Sequence, residues 1–124
     1  MDKMEIYPMT ERDIAQIEQI ERDTFSDPWS RQALAAELEN PLAVYFVCRQ
    51  GESVLGYVGM HSILGEGYIT NIAVQKQQRR KKVGTALMRA MLAWAKETDH
   101  SFVTLEVRTS NHAAQSIYSS FGFQ

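Results

Sequence analysis

The sequence predicts an α/β domain of the three-layer α+β kind, with a mixed, mostly antiparallel sheet flanked by helices. Three observations carry this reading. Apolar residues recur at helical spacing in two early segments and again after residue 82. Between residues 43 and 74 the period changes to strand-like runs separated by two short turns containing glycine. From Tyr68 to Arg108 a strand, a helix and another strand follow one another, and a crossover of that kind makes its two strands parallel. The predicted order is β-α-α-β-β-β-α-β-α.

Each element has a local reason. Glu5–Met9 is a short first strand, and Thr10 with Asp13 resembles an N-cap pair. The helix that follows sets Ile14, Ile17, Ile20 and Phe25 on one side. Ser26-Asp27-Pro28 breaks it. Ser30 caps a second helix that runs through Glu39, with Leu34 and Leu38 facing inward, and Asn40-Pro41 ends it. Ala43–Arg49 is β-branched and aromatic, as expected of a strand buried on both faces. Gln50-Gly51-Glu52-Ser53 is a hairpin turn, Val54–Leu64 a second strand and Gly65-Glu66-Gly67 a second turn. Tyr68–Val74 completes the meander. The helix from Val83 to Lys96 carries a stripe of Val83, Leu87, Met91 and Trp94. In Phe102–Arg108, Val103, Leu105 and Val107 alternate with Phe102, Thr104, Glu106 and Arg108. Asn111–Phe121 is a final helix, with Gly122 placed as its C′ residue.

The 124 residues fit one domain, 1–124, large enough for a hydrophobic core, and no repeat, linker or low-complexity stretch divides them. A net charge of −2 argues against binding nucleic acid over the whole surface. The positive charge is local, at residues 76–82. One cysteine, Cys48, cannot form an internal disulfide and is expected in the core; this suits a reducing cytoplasm. The first ten residues lack the apolar stretch of a signal peptide, and no apolar run approaches bilayer length, so no membrane association is expected. His61, His100 and His112 show no metal-ligand spacing, and no metal is expected.

The stretch from Tyr68 to Trp94 points to a ligand. A strand runs into the basic loop Gln75–Lys82, which opens a helix. The first-turn amides of that helix have no intrahelical partners, and its dipole favours an anion there. Lys76, Arg79, Arg80, Lys81 and Lys82 add cations beside them. This is a cradle for a polyphosphorylated ligand; the competing reading is a solvated surface loop.

Taken together, these pieces resemble the GNAT superfamily of N-acetyltransferases. The resemblance rests on Asp27-Pro28-Trp29-Ser30, Asn71-Ile72-Ala73-Val74, the basic loop into Gly84, and Leu105-Glu106-Val107-Arg108 followed by Ser110-Asn111. Ala114, Ile117-Tyr118 and Gly122-Phe123 complete it, so nearly the whole chain is covered. Within the superfamily the sequence is most similar to the branch that acetylates the N-terminal alanine of ribosomal protein S18. The resemblance implies the GNAT fold, acetyl-CoA as donor, direct transfer to a protein N-terminus and a cytoplasmic enzyme. It implies that the backbone at Ile72, Ala73 and Val74 holds the pantetheine arm and acetyl group. It also implies that the amides of Arg79, Arg80, Lys81, Lys82, Val83, Gly84 and Thr85 wrap the pyrophosphate, and that Asn111 contacts the cofactor. Glu106 becomes the general base and Tyr118 the general acid.

Each role has a plainer alternative. Glu106 could be a solvated glutamate or one paired with Arg108, Tyr118 a half-buried aromatic beside Ile117 and Phe121, and Asn111 an N-cap. Phe25 and Trp29 either line the acceptor slot or staple two helices. A main-chain donor near Ile72–Val74 could stabilise the oxyanion if a kink in that strand freed it.

The sequence departs from the family pattern twice. Lys82 stands where the loop motif has its first glycine. A lysine there keeps a usable N–H if φ is negative, and its ammonium adds attraction, so binding is expected to survive with a shifted loop. The family pattern also continues past Gly122-Phe123, whereas this sequence ends at Gln124. The C-terminal strands are therefore expected to be missing, leaving either a monomer or a dimer paired through an open sheet edge. Two other functions compete: acetylation of a polyamine, amino sugar or lysine, and a non-catalytic module that grips RNA or another polyanion through Arg79–Lys82. Direct nucleic-acid binding is not expected, because no aromatic-studded RNA-binding sheet is evident.

Overall fold

The structure, a computed structural model, describes residues 3–78, 82–98 and 100–105. Its elements are β1 (Met4–Pro8), α1 (Ile14–Thr24), α2 (Arg31–Glu39), β2 (Ala43–Gln50), β3 (Ser53–Ile63), β4 (Glu66–Val74), α3 (Val83–Glu97) and β5 (Phe102–Leu105). The order matches the expected one as far as Leu105. The final helix expected at Asn111–Phe121 lies outside the described residues. The five strands lie in chain order, β1-β2-β3-β4-β5. The first three pairings are antiparallel, and β4 with β5 is parallel, as the crossover requires.

Helices cover both faces. On one, α3 buries Val83, Leu87, Met88 and Met91 against Val58, Met60, Ile69 and Ile72, with Trp94 half-buried at the margin. On the other, Ile14, Ile17, Ile20 and Phe25 pack with Leu34, Tyr45, Val47 and Tyr57. Cys48 is buried in the α3-side core, and burial pushes its thiol pKa up.

The caps read from sequence are formed. The Asp13 carboxylate accepts the Thr10 N–H (2.8 Å) and hydroxyl (3.2 Å), and Ser30 Oγ accepts the Ala33 N–H (3.1 Å). A short 3-10 turn, Glu11–Asp13, precedes α1.

Two expectations are corrected. Leu38 does not face inward and is 36% exposed. It lies along an open groove between α1 and α2 that Ala15, Ala35 and Ala36 are too short to fill. The second turn is Leu64-Gly65, both with positive φ (51° and 80°), and Glu66 and Gly67 already belong to β4. A two-residue loop with positive φ at both positions matches the twist of a hairpin better than the longer turn read from sequence. Among the described residues no helix is long and apolar enough to cross a membrane, which says nothing of a β-barrel.

Candidate active site

The candidate site lies where β4 ends and α3 begins. Gly56 of β3 lies so close to both that a Cβ there would sit 2.8 Å from the Ala73 carbonyl oxygen and 3.2 Å from Val83 Cγ1. The loop leaving β4 is tethered at once. The Gln75 N–H donates to the Leu55 carbonyl (2.8 Å) and its side-chain amide to the Val54 carbonyl (2.7 Å). Leu55 is the residue that the β2–β3 register skips, since Cys48 pairs with Gly56 and Arg49 with Val54. A 3-10 turn at Lys76–Gln78 follows.

The start of α3 has the donor set of an anion seat. Ala86 N–H closes the first turn on the Lys82 carbonyl (3.0 Å), so the amides of Val83, Gly84 and Thr85 have no acceptor within the helix. With the helix dipole behind them and the exposed Lys82 beside them, they fit a diphosphate. Lys82 departs from the sequence expectation. Its φ is 65° and its ψ 18°, in the left-handed region, so the condition of negative φ is not met. The chain keeps the conformation that suits the family's glycine and imposes it on a lysine.

The kink sought in β4 is present but earlier than Ile72. Gly59 pairs with Asn71 and Met60 with Ile69, so Thr70 is looped out of the β3 register. Ile72, Ala73 and Val74 remain paired with Val58, Tyr57 and Gly56. Ala73 and Val74 lead directly to the tethered Gln75, and the closeness of the Ala73 carbonyl and Val83 to Gly56 makes the end of β4 and the start of α3 neighbours. Arg79, Arg80, Lys81, Glu106, Asn111 and Tyr118 lie outside the described residues.

On the α1 face, below Thr70, lies a polar cluster that the sequence reading did not assign. Glu21, fully buried, accepts the main-chain N–H of Trp29 on Oε1 (2.9 Å). Its Oε2 accepts the Asn71 side-chain amide (2.7 Å) and the Tyr57 hydroxyl. Nearby, the Tyr45 hydroxyl donates to Glu37 Oε1 (3.0 Å) and lies 3.4 Å from Thr70 Oγ1, and His61 Nε2 meets the same Glu37 oxygen at 2.8 Å. Burial pushes the Tyr45 hydroxyl pKa up, and the Glu37 and Glu21 carboxylates add to it against the opposing Thr70 hydrogen bond, so it stays a donor at neutral pH. The Tyr45 and Tyr57 rings stack at 6.3 Å. A signal for Glu21 was legible: it falls in the stripe Ile14, Ile17, Glu21, Phe25, where a charge has no business unless donors meet it. Phe25 is buried in the core and Trp29 packs half-buried against it, so the aromatic pair serves packing at least in part.

Comparison with known proteins matches residues 14–123 to the acetyltransferase (GNAT) family. The chain belongs to the acetyltransferase (GNAT) family. It is an N-acetyltransferase, and its acyl donor is acetyl-CoA. It is 37% identical over 123 residues to a Bacillus subtilis protein assigned as a ribosomal protein bS18-alanine N-acetyltransferase, covering 98% of this chain and 82% of that one. It is 34% identical to the N-alpha-acetyltransferase RimI of Mycobacterium tuberculosis, covering 94% of this chain and 75% of that one. Among solved structures, the Escherichia coli ribosomal-protein-S18-alanine N-acetyltransferase superposes with a TM-score of 0.87 at 26% identity, covering 98% and 78% of the two chains.

Proposed function

We propose that this acetyltransferase acts on a protein N-terminal α-amine, with the N-terminal alanine of ribosomal protein S18 as its acceptor. The observation that carries the donor half is the first turn of α3, whose amides open directly off the end of β4 beside Lys82. The acceptor half is supported by the names of the Bacillus subtilis and Mycobacterium tuberculosis relatives. An acceptor on a ribosomal protein sets the reaction in the cytoplasm.

Acetyl-CoA supplies an activated thioester carbonyl. The residues proposed to hold it are Ile72, Ala73 and Val74 along the pantetheine arm, Arg79 to Thr85 around the diphosphate, and Asn111. An α-amine, with a pKa of roughly 8 against about 10.4 for lysine, gives up its proton to a single carboxylate more readily than a lysine does. Glu106 is proposed to take that proton, directly or through a water, as the amine nitrogen bonds to the carbonyl carbon. As the carbon–sulfur bond breaks, Tyr118 is proposed to protonate the leaving thiolate. No acyl-enzyme forms.

The test is steady-state acetylation of an alanine-starting S18 peptide, with free thiol as the readout. Glu106→Gln and Tyr118→Phe should each lower kcat by roughly 100-fold or more. Unchanged rates in both would refute the assigned roles. A panel including spermidine, an aminoglycoside and a lysine peptide tests the acceptor. Faster turnover of any of these than of the alanine peptide would refute it.

A further inference from the structure

Glu21 serves no step of the chemistry above, yet its surroundings are more elaborate than a packing role requires. It is 0% exposed, and its carboxylate joins three parts of the fold. These are the α1–α2 loop through the Trp29 amide, β3 through the Tyr57 hydroxyl, and β4 through the Asn71 side chain. Asn71 also donates to the Tyr57 hydroxyl (2.5 Å), so Glu21, Tyr57 and Asn71 are each bonded to the other two. Asn71 sits between the looped-out Thr70 and Ile72, the first of the residues proposed to hold the donor. A buried carboxylate is costly even when its donors are in place, and an apolar residue of similar size would often serve stability as well. What the carboxylate adds is direction: its oxygens set the position of the loop relative to the bulge.

Among the described residues, α3 and its apolar core cover the opposite face of the sheet, which leaves the loop side of that bulge for the acceptor. We propose that Glu21 is a positioning residue for acetyl transfer, fixing the α1–α2 loop against the bulged segment of β4 so that the acceptor amine is aimed at the donor carbonyl. The inference rests on the reading of Ile72–Val74 as the donor's backbone. It does not depend on which amine is the acceptor.

Glu21→Gln keeps the volume but turns one accepting oxygen into a donor that faces the Asn71 amide or the Trp29 N–H. The acceptor KM should rise roughly tenfold, as expected when a directional contact is lost. The acetyl-CoA KM should stay within about twofold, because the α3 amides are untouched. Adding Asn71→Asp to Glu21→Gln reverses the polarity of the pair. The new glutamine can then donate to the new aspartate, which can also accept from Tyr57, and the acceptor KM should return to within about threefold of wild type. If Glu21→Gln does not fold, Tyr57→Phe removes a single donor from the carboxylate and should raise the acceptor KM by roughly threefold. Equal changes in both KM values, no change in either, or failure of the double variant to recover would overturn the proposal. The measurement uses whichever amine the wild type acetylates, so failure of the S18 assignment would leave this test intact and would be seen separately in the acceptor panel.

Discussion

The two faces of the sheet are built by different rules. Among the described residues, the buried core of the α3 face is apolar apart from the thiol of Cys48. The α1 face carries Asp13, Glu21 and Asn71, the buried polar or charged residues among those described. The difference follows what each face holds in place. Fixing one helix start against the end of a strand needs volume and contact, which non-directional apolar packing supplies. Fixing a loop, a side-chain amide and two phenols at set positions needs hydrogen bonds, which have direction. The proposed donor seat therefore borrows its rigidity from packing, and the proposed acceptor side from a polar network.

The sharpest way to break this contrast is a cavity on the apolar face. Leu87 is fully buried, and Leu87→Ala should cost about 2–5 kcal/mol of stability. In urea titrations the midpoint should fall, while both KM values of the folded enzyme stay near wild type. A rise confined to the acceptor KM would show that the α3 face also governs the acceptor.

A smaller loss is expected from Asp13→Asn on the opposite face. The Asp13 carboxylate receives Arg49 Nε (2.9 Å) and Nη2 (2.6 Å) besides Thr10, linking the start of α1 to β2. Burial alone would raise its pKa, but Arg49 and Thr10 together hold it below the ordinary 3.8. A lowered folded-state pKa means the stability is complete above the ordinary value and is lost as pH falls through the folded value. Wild type should therefore exceed Asp13→Asn by about 3 kcal/mol at pH 7, because the substitution leaves Arg49 unpaired. The gap should hold down to about pH 5 and close below about pH 4. A gap that widens in acid would contradict the geometry.

Gly59→Ala should cost less, about 1–3 kcal/mol. A Cβ at that position would lie 2.4 Å from the Tyr45 ring, which has to shift. Because the Tyr45 hydroxyl bonds Glu37 close to Thr70, the acceptor KM should rise with the loss of stability, unlike the response to Leu87→Ala. Differential scanning calorimetry alongside acceptor kinetics separates the two faces.

How much of this was legible before the structure depended on range. The order of the elements, the hairpin meander, the parallel crossover and the caps at Thr10 and Ser30 follow from period and short-range chemistry, and they were readable; the pairing of β1 with β2 was not. Leu38 was misread because helical spacing says which side a residue is on, and not whether a neighbour is long enough to cover it. The left-handed Lys82 was missed because a lysine gives no hint of positive φ; only the family's glycine at that position did. The Glu21 cluster joins residues 50 positions apart, Glu21 and Asn71, and no local pattern announces such a contact. The misplaced charge in the stripe of α1 marked one end of it, but nothing marked the other.

The smallest effect isolates the donor seat itself. At φ 65° a residue with a Cβ carries a cost of about 1 kcal/mol that glycine does not. Against this, glycine loosens the unfolded chain by about 0.4–1 kcal/mol, so Lys82→Gly should be close to neutral or slightly stabilising. Lys82→Ala keeps the strain and removes the charge, so the two variants separate backbone from ammonium. If the α3 amides carry the diphosphate, both should raise the acetyl-CoA KM by no more than about threefold, an effect that salt then erases. The acceptor KM should not move in either. Because the strain is relieved only by glycine, the glycine variant should melt at or above the alanine variant. Finding alanine the more stable of the two would mean that residue 82 does not hold the left-handed conformation, and that the first turn of α3 is presented differently.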